Sequence, residues 1–206
     1  MRKLGVVLIV LLALAVASDF GLKLLAQRAV SAEMASALEL DARPDVSISA
    51  WPFVARFAAG ELDRVDVHAP EVETRGLELE SVDLAIDDLT FEPGEIISGN
   101  MDGMRTSGGR GTATFTARAL TRALRDIGAP LRVVFDGGEV TVRSDAGEAT
   151  GDVILDVDRL IVSAGGDLST AADLPSLGGR VTYESLRIGT GRATLELALE
   201  GGRLQL

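Results

Sequence analysis

Hydrophobic residues along this chain follow two periods in succession, and the change between them marks its main elements. From Asp19 to Leu40 they recur at helical spacing, with Leu22, Leu25, Ala26, Ala29 and Val30 followed by Met34, Ala37 and Leu38. Arg43-Pro44 ends that segment, since the residue before a proline is pushed out of the helical region. Beyond Val46 a period of two takes over: Val46, Ile48, Ala50; then Val65, Val67, Ala69; then Val82, Leu84, Ile86. These read as half-buried antiparallel strands. A second helix is predicted from about Thr116 to Ile127, where Ala117, Leu120, Leu124 and Ile127 share one face and Arg118, Arg122 and Arg125 the other. Gly128-Ala129-Pro130 stops it. The remainder reads as strand, over 131–135, 139–143, 148–157, 160–163, 180–188 and 193–199, with turns at 136–138 and 144–147. Gly201-Gly202 reads as a last hairpin, Glu92-Pro93-Gly94-Glu95 as a turn, and Ser107-Gly108-Gly109-Arg110-Gly111 as a flexible connector.

Many hairpins and two helices predict a single α+β domain over residues 18–206, in which long helices lie in or across a strongly curled antiparallel sheet. The order helix, strands, helix, strands also suggests a loose duplication.

Residues 1–17 stand apart. Met1-Arg2-Lys3 followed by the apolar run Leu4 to Ala17 has the charged and apolar regions of an export signal. The run spans roughly 21 Å as a helix, short of the roughly 30 Å hydrocarbon core, and continuing through Phe20 and Leu22 brings it near spanning length. Ala15-Val16-Ala17 offers a cleavage site before Ser18, so a cleaved signal and a retained membrane anchor are both open. Arg2 and Lys3 would hold the N-terminus on the cytoplasmic side. The absence of cysteine excludes lipoprotein attachment, disulfides and thiolate metal sites.

Composition sharpens this. With 47% hydrophobic and 25% charged residues the chain belongs to the folded class. Only Lys3 and Lys23 are lysines, and the excess of Arg, Ala, Gly and Asp reads as a GC-rich coding bias. A net charge of −11 argues against nucleic acid as a partner and against nonspecific adhesion to anionic headgroups. Contact with lipid is therefore expected to be mainly apolar.

Three of the chain's eight aromatic residues, Trp51, Phe53 and Phe57, crowd a short helical bend that opens an alternating strand. They either plug the end of a core or line an apolar pocket. Pro52-Phe53-Val54, then Gly60, then Val65-Asp66-Val67, resembles the signature of the LmeA-like phospholipid-binding family of the actinobacterial cell envelope. The order of a membrane-targeting segment, helix, Pro-Phe motif, strands, amphipathic helix and strands extends the likeness over most of residues 20–206. The resemblance implies a tubular lipid-binding fold, with a rolled sheet wrapping a long helix around an apolar groove. It also implies phospholipid as the ligand, the outer side of the cytoplasmic membrane as the location, and support of lipoglycan or mannan assembly beside envelope glycolipid-synthesis enzymes. Trp51, Phe53, Phe57, Leu120, Leu124 and Ile127 are the expected lipid-binding residues.

The stripe of Arg118, Arg122 and Arg125 reads either as a solvated face or as a guide for a lipid phosphate, which guanidinium groups bind bidentately. Catalytic constellations are nearly absent: His68, the one histidine, has no nucleophile motif nearby and reads as a surface strand residue. Asp152, Asp156 and Asp158 read as the wet side of a strand rather than a cation site, and residues 107–111 lack the Lys and Ser/Thr of a phosphate-binding loop. The expectation is thus a non-enzymatic, exported phospholipid binder without metal or cofactor. Two other classes are weighed beside it: a scaffold with a fully packed interior and, less favoured, a lipid hydrolase.

Overall fold

The computed structural model describes residues 2–37, 40, 42–72, 76–98, 103–145, 147–164, 168–174 and 180–203, with no side-chain description for residues 2–15, 33, 37, 97 and 168. A long helix, α1 (Arg2–Ala37), leads into strand β1 (Asp45–Ser49) and the short helix α2 (Phe53–Ala58). Strands β2 (Glu61–Val72) and β3 (Leu79–Thr90) follow, then a one-turn helix α3 (Pro93–Ile97) and strand β4 (Arg105–Thr116). Helix α4 (Ala117–Asp126) connects to β5 (Arg132–Asp136), β6 (Glu139–Ser144), β7 (Gly147–Asp156), β8 (Arg159–Ala164) and β9 (Leu168–Asp173). Strands β10 (Val181–Ile188) and β11 (Arg192–Arg203) complete it.

All pairings are antiparallel and form two sheets, a six-stranded one in the order β1-β2-β3-β4-β11-β10 and a five-stranded meander β5-β6-β7-β8-β9. This corrects the expected architecture. The sheets are open rather than curled into a tube, strand dominates over helix, and α1 alone among the described helices is long. The reason is visible in the second half of the chain. Five consecutive strands pair each with the next and make a second sheet, leaving the first with two free edges.

Three local readings also change. Residues 107–111 form the middle of β4, a central strand, and Gly201-Gly202 lie inside β11. The Glu92–Glu95 turn belongs to α3, and β9 is a strand where the sequence analysis placed none. Glycines mislead here because they read as loop when they are in fact required by close strand approach: a Cβ on Gly109 would lie 2.3 Å from the Ala85 carbonyl oxygen, and one on Gly111 2.5 Å from that of Asp83.

Directly paired residues share a face, so the register defines one apolar surface across the six-stranded sheet. It runs from Val46 and Ile48 through Val65 and Val67, then Leu84 and Ile86, to Gly109 and Gly111, and on to Leu197 and Leu199. The two glycines interrupt it, and two clusters result. The larger joins Ala113, Phe115, Leu195 and Leu197 to the inner face of the five-stranded sheet, with Leu120 and Leu124 of α4 driven between them at 0% exposure. The smaller lies on the β1-β2-β3 half beneath α1 and α2.

Helix α4 is seated by its own sequence. The Thr116 side chain accepts the Ala119 N–H at 3.1 Å, and the Thr121 hydroxyl donates to the Ala117 carbonyl at 2.8 Å while accepting the Val133 N–H at 2.9 Å. The second of these residues ties the helix to β5. On β10, half-buried Tyr183 packs against the larger cluster, and burial together with the charge of Asp158 pushes its hydroxyl up to about 12.

Gly111→Ala is expected to lower stability by about 1–3 kcal/mol through overpacking, whereas Gly94→Ala, with open space around it, should change it by under about 0.5 kcal/mol; urea midpoints measure both. Because Tyr183 is the chain's single tyrosine, absorbance at alkaline pH reports on it alone. Its contribution to stability should be intact below the unfolded value near 10 and lost as pH rises through about 12. Tyr183→Phe should abolish that loss.

Candidate functional site

The aromatic bend becomes helix α2, but Pro52 at its N-cap offers no side-chain acceptor, and its first amides need one from elsewhere. Asp19 of α1 supplies it. This buried carboxylate accepts the Phe53 N–H at 2.9 Å and the Val54 N–H at 2.7 Å, so a residue 34 positions away caps the helix. The Trp51–Pro52 peptide is cis. Gly60, with φ of 77°, closes α2 and lets the Phe91 N–H reach the Gly60 carbonyl oxygen at 2.9 Å.

The three aromatic residues part company at this corner. Phe53 is buried in the smaller cluster, and half-buried Phe57 lies between it and Phe91 with ring centroids 5.7 and 5.2 Å away. Trp51 turns outward at 61% exposure and stacks at 6.0 Å on exposed Phe20 of α1. Arg56 holds the outer side of α2 to β2 through Glu61 at 2.9 Å and through Asp63, whose hydrogen bond and charge raise the guanidinium above its ordinary value.

Around Phe57 the packing is incomplete. Eight members of the smaller cluster are buried, and another eight keep part of their surface open: Ala26, Val30 and Met34 from α1, Phe57, Leu84, Ile86, Phe91 and Met104. The larger cluster holds twenty-two buried residues against nine partly buried ones. The partly covered residues of α1, α2 and β3, with Phe91 and Met104, thus mark a candidate apolar cleft beside α1 and α2, with glycines 109 and 111 at its border.

Leu120 and Leu124 are fully buried beneath α4, remote from this cleft, while Ile127 at the helix end is 56% exposed. Their helix presents Arg118, Arg122 and Arg125 outward, where they line a cavity of about 500 Å³ with Arg132, Thr121, Val134 and Phe135. Arg122 pairs with Glu78. The guanidinium groups of Arg118, Arg125 and Arg132 have no ion pair or hydrogen bond among the described residues. The sequence reading missed Arg132, which only the fold brings to the stripe. The aromatic wall and this cavity adjoin opposite ends of β4, Arg105 and Thr116, separated by roughly 36 Å at about 3.3 Å per residue. An acyl chain is about 15 Å long, half the hydrocarbon core, so these are two sites.

His68 stands on the outer face of β2, exposed, with Nδ1 2.6 Å from the Asp83 carboxylate across the strand pair. Asp152, Asp156 and Asp158 are exposed, and among the described residues no group of acidic or histidine side chains could hold a metal ion. No helix among the described residues is long and apolar enough to cross a membrane; the side chains of most of the run Leu4 to Ala17 lie outside that description.

The model of the LmeA-like phospholipid-binding family matches residues 17–204, which puts the cleft and the arginine cavity in a protein of the lipid-binding class. The chain belongs to that family. No curated protein and no solved structure matches it.

Asp19→Ala is expected to cost about 1–3 kcal/mol, since two amides lose a charged acceptor, and to release α1 from α2. Urea unfolding measures the first. Emission of Trp51, the sole tryptophan, reports the second, and Asp19→Asn, which keeps one acceptor oxygen, should fall between.

Proposed function

We propose that this is an exported, non-enzymatic phospholipid-binding protein of the cell envelope that holds acyl chains in the cleft between α1 and β3 and leaves the headgroup near solvent. The observation that carries the reading is the half-closed smaller cluster in a chain of a phospholipid-binding family. Each methylene taken from water contributes about 0.8 kcal/mol, so partly covered Leu84, Ile86, Phe57 and Met34 gain from an acyl chain what they lack in protein contacts. The apolar run Leu4 to Ala17 supports export to the outer side of the cytoplasmic membrane, with residues 18–206 as the binding domain whether the run is cleaved or kept as an anchor. Support of lipoglycan or mannan assembly beside membrane enzymes is the role this binding would serve.

The three unpartnered guanidinium groups favour a second role at the other end of the molecule. In a protein of net charge −11, Arg118, Arg125 and Arg132 make a cationic spot able to guide the phosphate of an anionic lipid. The full burial of Leu120 and Leu124 favours a competing scaffold reading, in which the interior is closed and no lipid is held.

The chain from Ser18, purified from its host, should carry phospholipid in native mass spectrometry. Leu84→Asp and Phe57→Asp should each abolish retention with the melting curve still cooperative, because a carboxylate would be desolvated against acyl chains. Lipid-free wild type establishes the scaffold reading instead, and turnover of the bound lipid would establish a hydrolase. Replacing Arg118, Arg122 and Arg125 together by Gln should weaken anionic lipid by about 1–3 kcal/mol and leave a zwitterionic lipid of identical chains unchanged. Equal loss for both sinks the guide.

A further inference from the structure

Helix α1 has an inner stripe and an outer face of opposite fates. Asp19, Ala26, Val30 and Met34, spaced by seven, four and four residues, turn toward the domain. The outer arc of a domain helix is normally polar. Here it holds Phe20, Leu22, Leu24 and Leu25, all about half exposed or more, and Phe20 continues onto exposed Trp51, beside which Val54 is also open. Asp19, through its bonds to α2, fixes helix and corner as one surface.

Charge follows the same division. Residues 1–32 contain Arg2, Lys3, Lys23 and Arg28 against the single acid Asp19, which is buried as the α2 cap. Residues 33–206 hold sixteen cations and thirty acids. An acidic body thus carries a cationic, apolar end, and the apolar run Leu4 to Ala17 belongs to the same unbroken helix.

We infer that the outer face of α1 and the exposed Phe20–Trp51 pair form the surface by which the folded domain sits on a bilayer containing anionic phospholipid. Continuity with the apolar run puts Phe20 and Trp51 one helical turn beyond its end, at the depth where tryptophan settles between hydrocarbon and water. Arg28 faces the headgroups, Lys23 stands half-buried on the inner stripe four residues after Asp19, and the acidic body is held away from the membrane. Seated so, the domain brings the α1 side of its cleft to the membrane from which a phospholipid would enter. The inference rests on the location at the outer side of the cytoplasmic membrane proposed above, but not on retention of lipid in the cleft.

The test uses the full chain, one copy per nanodisc, in discs of phosphatidylcholine alone or mixed equally with phosphatidylglycerol. Trp51 emission should be quenched by lipids brominated near the headgroup and shielded from aqueous iodide. Phe20→Ser with Leu24→Ser should reverse both effects. Arg28→Gln should lower the partition of the chain onto mixed vesicles about fivefold, with no change on phosphatidylcholine. Trp51 open to iodide on a disc-bound chain overturns the seat while leaving the function above intact. A chain absent from the disc fraction overturns the seat and leaves lipid retention by residues 18–206 to its own test. Shielding that appears only with two copies per disc assigns the face to self-association and overturns the seat.

Discussion

A sheet with one continuous apolar face has to be covered across its whole width, and the six-stranded sheet is covered by two unlike structures. On the β4-β11-β10 half, α4 and the five-stranded sheet close over Phe115, Leu195 and Leu197 with full burial of Leu120 and Leu124. On the β1-β2-β3 half the cover is a single helix, α1, and the six residues of α2. Gly109 and Gly111 mark the border, because the chain passes there too near the neighbouring carbonyls to carry side chains. One half is a core in the ordinary sense. The other is apolar surface with too little protein to complete it.

In the proposed binding mode, acyl chains would complete this half-finished apolar cluster through the same removal of methylenes from water that drives folding. Helix α1 is joined to the corner by the Asp19 carboxylate on two α2 amides and by contacts of small or flexible side chains such as Ala26 and Met34. Such a joint fixes α1 near its middle, and farther along the Ser31 hydroxyl donates to the Pro44 carbonyl. The arginine cavity belongs to the opposite end of β4 and to different physics: three of its guanidinium groups stand on the solvent side of a helix whose other face is sealed, and the fourth comes from β5.

The likeness carried by Pro52-Phe53-Val54, Gly60 and Val65-Asp66-Val67 was legible because each residue has a local task. Phe53 anchors the smaller cluster, Gly60 takes a positive φ where a Cβ would strike the Phe91 carbonyl, and Val65 and Val67 alternate into the core. Helix α4 was legible too, to within a residue at either end, since its period, its Thr116 cap and its glycine stop are all local. The arginine stripe was visible on that helix, but its fourth member and the cavity were not, for Arg132 arrives from another strand.

Sequence alone determined where α1, α2, α4 and most strands lie and the family to which the chain belongs, because period, caps and turn residues act over a few positions. How the strands assemble was decided only by the tertiary structure. Two open sheets rather than a tube follow from which edges pair, and a one-dimensional pattern carries no trace of that choice. The same holds for Trp51, Phe53 and Phe57, three neighbours alike on paper. Asp19 fixes the start of their helix from 34 residues away, and that orientation sends one ring into the core, one to the cleft wall and one out onto Phe20.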